Sequence, residues 1–74
     1  MAYDLPEDLI ALKRAFLAAE TRLASLSETG SREDWQAAYQ ECQRLAVEID
    51  RHPYWATVDN RHSAWMALQA AAKA

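Results

Sequence analysis

The feature that most constrains this chain is a spacing. Leu5, Leu9, Leu12, Phe16, Ala19, Leu23 and Leu26 follow one another at steps of 4, 3, 4, 3, 4 and 3. An unbroken 3/4 repeat puts one apolar side chain on the same side of every helical turn, and no strand can use it. Ile10 and Leu17 lie beside this seam and widen it beyond a two-stranded stripe, so the helix needs two neighbours. Pro6 suits a first helical turn, and Glu7 and Asp8 complement the positive end of the helix dipole. The spacing predicts a helix over residues 6–27.

The segment "ETGS" ends it. Gly30 is the single glycine, at a place where a helix C-terminus commonly uses a left-handed residue. Ser31 can cap the next helix, with Asp34 three positions on. Trp35, Ala38, Cys42, Leu45, Ile49 and His52 then repeat at steps of 3, 4, 3, 4 and 3, which predicts a second helix over 32–50. Two helices on one period, joined by a short turn, form an antiparallel hairpin.

Pro53 cannot sit cheaply inside helix 2, but it is well placed to open a third helix, with His52 as its cap. Tyr54, Val58, Arg61, Trp65, Leu68 and Ala72 continue the 3/4 steps. A third helix is therefore expected over 53–72, with a break near Thr57 to Asn60 as the alternative. The fold class read from these patterns is all-α, a small antiparallel three-helix bundle forming one domain over 1–74, with Leu12, Phe16, Leu23, Trp35, Leu45, Ile49 and Trp65 in its core.

Composition narrows the functions. With 74 residues and 16 alanines among its apolar residues, the chain has a small core that association would help. A net charge of −3 and eight scattered basic residues argue against a phosphate-binding surface, so nucleic acid is not the expected partner. Cys42 is alone, which suits a reducing compartment. No apolar run reaches membrane-span length, and "MAYDLPEDL" is acidic where a signal peptide is basic. A cytoplasmic protein without a membrane partner is the expectation.

Both histidines and several aromatics crowd into "DRHPYWATVDNRH", residues 50–62. His52, His62, Asp59 and Cys42 are ligand types, but no pair of them has a recognised metal spacing, and no cofactor is expected. Within the stretch, His52, Pro53, Trp55, Val58 and Asn60 match a His-Pro-x-Trp and Val-x-Asn pattern. It resembles part of the signature of the pterin-4a-carbinolamine dehydratases. That resemblance implies acid–base work for His52 beside a pterin, in a fold containing a sheet; His52 and its neighbour Tyr54 are the candidate ligand site. The family doubles the histidine where this chain has Arg51, and it continues into a strand where this chain continues with "RHSAWMALQAAAKA". A DNA-binding regulator would read bases from Asn60, Arg61, His62 and Gln69, yet these are set among large aromatics in an acidic chain.

The preferred reading is non-enzymatic. On a continuous third helix, Trp55, Asp59, His62 and Met66 fall at steps of 4, 3 and 4 along one flank. Trp and Met within a polar rim are what contact hot spots use. The expectation is an interaction or regulatory module that binds another protein or a second copy through that flank, with Trp55 as its anchor.

Overall fold

A computed structural model describes residues 3–74. Its elements are α1 (Glu7–Thr29), α2 (Arg32–Asp50), a 3-10 helix (Pro53–Thr57) and α3 (Arg61–Lys73), with no strand among the described residues. The all-α, three-helix expectation holds. Helix α1 is the shared element and packs against both α2 and α3. None of the helices is long and apolar enough to cross a membrane.

The starts of the elements follow their local chemistry. Ser31 Oγ accepts the Asp34 amide at 3.1 Å and opens α2. His52 caps the 3-10 helix, its Nδ1 accepting the Tyr54 amide at 3.1 Å. Gly30 differs from expectation: at φ −90° and ψ 166° it is extended, not left-handed. What the position demands is room, since a Cβ there would lie 2.5 Å from Leu26 Cδ2 and 3.0 Å from the Leu26 carbonyl oxygen.

The third helix is not continuous from Pro53, and the boundary at 53–72 is corrected. The helix breaks at Val58–Asn60, which was the alternative reading. Asn60, not Thr57, caps α3, with its Oδ1 accepting the Ser63 amide at 3.0 Å. Thr57 Oγ1 instead donates back to the Tyr54 carbonyl at 2.7 Å. The other cause is Trp55, whose Nε1 donates to the Ile49 carbonyl at 2.6 Å and folds the 3-10 helix back across the end of α2. The Ile49 carbonyl, which also accepts the His52 amide at 3.2 Å, thus ties the indole to the end of α2.

The core gathers at this end. Leu9, Ile49, Trp55, Ala64 and Leu68 form its buried cluster, with Tyr54, Val58 and Trp65 packed against it. Ala38, Cys42 and Leu45 extend burial along α2, whereas the buried residues of α1, Leu9 and Lys13, all lie in its first half. Of the expected core, Leu45 and Ile49 are buried, but Leu12, Phe16, Leu23, Trp35 and Trp65 are only partly so. Leu12, Phe16 and Trp65 pack at the edge of the buried cluster. For Leu23 and Trp35 the reason is geometric: α3 has 13 residues against 23 in α1, so it covers the first half of α1 and leaves a two-helix hairpin beyond. Two helices cannot enclose a seam.

Candidate interaction surface

The four residues expected on one flank are dispersed by the break. Trp55 is 8% exposed and belongs to the core, where its ring meets Tyr54 at 5.6 Å and Trp65 at 5.8 Å between centroids. The Arg61 guanidinium covers it at 5.1 Å and also pairs with Asp50. Asp59 is exposed on the link before α3. His62 and Met66 do share an exposed flank, one turn apart on α3. A flank anchored by Trp55 is therefore not formed.

His52 and Tyr54 are held by structural bonds. His52 Nδ1 accepts the Tyr54 amide, so Nε2 carries the proton and donates to Asp8 Oδ2 at 3.0 Å. That hydrogen bond holds the Asp8 carboxyl below its ordinary value. The Tyr54 phenol is pushed up by burial, with Tyr3 and Asp4 adding to the shift, and its oxygen has no partner among the described residues. The cleft beside Tyr54 is lined by Tyr3, Asp4, Thr57, Val58, Asp59 and Asn60, and His52 is not among its walls. The two residues are neighbours in the chain but do not converge on one cavity. The sheet that the dehydratase resemblance implies is absent from the described residues. Among those residues, no three His, Cys, Asp or Glu side chains converge as metal ligands would.

Two features escaped the sequence. The first is an open cleft between α1 and α2 on the far side of the core, lined by Phe16, Glu20, Leu23, Tyr39, Cys42, Gln43 and Ala46. Phe16 belongs to both regions, packing against the buried cluster under α3 and forming the near wall of this cleft. Tyr39 is 42% exposed and stacks on Trp35 at 5.3 Å. Cys42 is buried at its floor, with its thiol pushed up by that burial. A second cleft, on the opposite face, has alanine walls rimmed by Arg22 and Glu41, and offers no large apolar side chain.

The second feature is Lys13. It is 3% exposed, with Nζ 4.2 Å from the Trp65 ring centroid and 4.9 Å from that of Phe16. None of the ion pairs among the described residues includes it. Desolvation holds its ammonium below the ordinary lysine range, opposed by Glu20 and reinforced by Lys73. Lys13 lies four residues after Leu9 and three before Phe16, so it shares their face, and the crossing of α3 brings Trp65 over it.

A charge kept in a packed site this way costs stability, which gives a direct expectation. Lys13→Met keeps the packing on Phe16 and Trp65 and removes the desolvation. It should raise stability at pH 7 by about 1 kcal/mol after the lost cation–π contacts are allowed for, or about 4–8 °C in Tm. A lysine whose folded value is lowered binds fewer protons folded than unfolded. Its handicap is therefore full at neutral pH, shrinks as pH rises through the lowered value, and is gone above the ordinary lysine range. The advantage of Lys13→Met should shrink in the same window. Tyr54 and Cys42 titrate there with the opposite sign, but they are common to both chains and cancel in the difference. Paired thermal melts across pH check this, and a variant that melts lower at pH 7 would refute it.

No curated protein and no solved structure matches the chain. The family model for a domain of unknown function termed DUF8825 does match, over residues 8–71. That span runs from the first turn of α1 to the last turn of α3 and takes in the corner, Lys13 and the open cleft, so the chain belongs to the DUF8825 family.

Proposed function

We propose that this domain is a non-enzymatic interaction module that receives one helix of a partner protein in the open cleft between α1 and α2. The observation that carries the reading is the half-covered hairpin. Helix α3 lies over the first half of α1, and the cleft of Phe16, Leu23, Tyr39 and Ala46 begins where that cover ends. A helix is the natural occupant because the adjoining stretch of the same face already accepts one, and Phe16 belongs to both stretches. Tyr39 and Phe16 are the large aromatic side chains that anchor contacts of this kind. The surface is thus moved from the helix 3 flank to the hairpin.

Acid–base catalysis at His52 has less support, since both ring nitrogens are engaged. DNA reading has less as well: Arg61 is tied to Asp50 and stacked over Trp55.

An amphipathic helical peptide of about 20 residues, long enough to be substantially helical, serves as the probe. Titrated into labelled protein, it should shift the amide signals of residues 16–23 and 39–46. Tyr39→Ala, an exposed change that leaves the core alone, should weaken binding by about thirtyfold, equivalent to the 2 kcal/mol common for a central aromatic. Shifts confined to Asp59, His62 and Met66 would return the surface to α3, and no shift anywhere would sink the reading.

A further inference from the structure

We infer that the alanine-walled face of the hairpin pairs with the same face of a second copy, Arg22 of each chain meeting Glu41 of the other. This face lies opposite the cleft of Phe16 and Tyr39, so the inference stands apart from the partner helix proposed above.

Ala18 and Ala19 on α1 and Ala37 and Ala38 on α2 wall this cleft, and Arg22 and Glu41 complete it, one charge from each helix. Ala18, Ala37, Arg22 and Glu41 are all exposed, so an approaching surface meets both charges directly. Small side chains let helix axes come together at about 8 Å, the short end of helix packing. Only a surface that is itself small can sit that deep. This chain offers alanine on both helices, and so fits itself.

The charges fit the same way. Glu41 and Glu48 share Arg44, two carboxylates to one guanidinium, which leaves that side of α2 with one negative charge in excess. Arg22 enters none of the ion pairs among the described residues, although it lines the same cleft as Glu41. A carboxylate has lone pairs enough to accept from a second guanidinium. One chain therefore carries an unmatched cation on one wall and an excess anion on the other.

A two-fold dimer brings a patch against itself, residue i meeting j and j meeting i. Arg22 lies seven residues before the end of α1 at Thr29, and Glu41 nine after the start of α2 at Arg32. Across the short turn, at 1.5 Å per residue, the two stand at nearly the same height, about 3 Å apart along the axes. A two-fold axis parallel to the helices, between two such faces, lays α1 of each copy antiparallel on α2 of the other and leaves heights unchanged. Arg22 then falls beside the other copy's Glu41, and symmetry makes the contact twice.

Sedimentation equilibrium from about 10 μM to about 1 mM tests this, since a small interface of this kind should give a Kd of about 100 μM. Arg22→Glu and Glu41→Arg, both exposed changes, should each weaken the dimer about tenfold or more, because each sets like charges together twice. The double exchange of Arg22→Glu with Glu41→Arg should restore it to within about threefold of the parent. Circular dichroism confirms that every variant is as helical as the parent. A parent that stays monomeric throughout overturns the inference, and so does a dimer that ignores both reversals. Single variants that dissociate without rescue by the double exchange overturn the Arg22–Glu41 pairing. A dimer lost in Tyr39→Ala but kept in Arg22→Glu would place the second copy in the other cleft. Peptide binding to that cleft is measured separately in Arg22→Glu, so the two proposals can fail one without the other.

Discussion

Trp55→Ala should unfold the domain at room temperature. The side chain is 8% exposed at the corner where α2, the 3-10 helix and α3 meet, and it contacts two other aromatic rings. Truncating a buried Trp costs about 3–5 kcal/mol, near the lower end of total stability for small domains. The loss also frees the Ile49 carbonyl from Nε1 and uncovers the Arg61 guanidinium. Trp55→Phe separates these parts: it keeps most of the ring and removes the N–H, and should cost about 1–3 kcal/mol. Denaturant melts followed by helicity would rank parent, Phe and Ala in that order. An alanine variant as stable as the parent would restore Trp55 to the surface.

Much of this fold was legible because periodicity is written locally. Each step of the α1 and α2 seams names the next, and the caps at Ser31 and His52 use residues adjacent to the elements they start. The break at Val58–Asn60 was harder, because the 3/4 steps run through it undisturbed from Tyr54 to Ala72. What overrides them is the bond from Trp55 back to Ile49, six residues earlier in α2, together with Asn60 competing as a cap. The candidate site was less legible still. A heptad seam announces that a face wants cover without saying how much it receives, and the partial exposure of Leu23 and Trp35 follows from the length of α3. Lys13 reads from sequence as one of eight scattered cations; its burial depends on where α3 crosses α1. Gly30 was read as a conformational requirement and is a steric one.

The same unequal cover orders two core truncations against their size. Leu68 is fully buried, at 0% exposure, in the cluster of Leu9, Ile49, Trp55 and Ala64. Leu68→Ala leaves a cavity in the one region where three elements meet, and should cost about 2–5 kcal/mol. Phe16→Ala removes more atoms, but Phe16 is only partly buried and borders an open cleft into which neighbours and water can relax. It should cost clearly less than the roughly 3–5 kcal/mol of an enclosed Phe, and less than Leu68→Ala. The consequences differ in kind as well. Loss of Leu68 loosens α3, which uncovers Lys13 and lets its ammonium regain water, so the alkaline rise in stability that Lys13 imposes on the parent should fade in Leu68→Ala if any folded population remains. Loss of Phe16 leaves α3 and the Trp65 ring in place but removes one of the two rings beside the Lys13 ammonium, so that rise should shrink only in part. Chemical melts of both variants at pH 7 and at the ordinary lysine range decide it. A Phe16→Ala variant less stable than Leu68→Ala would mean that the cleft is closed in solution, filled by a second copy or by the hairpin's own side chains.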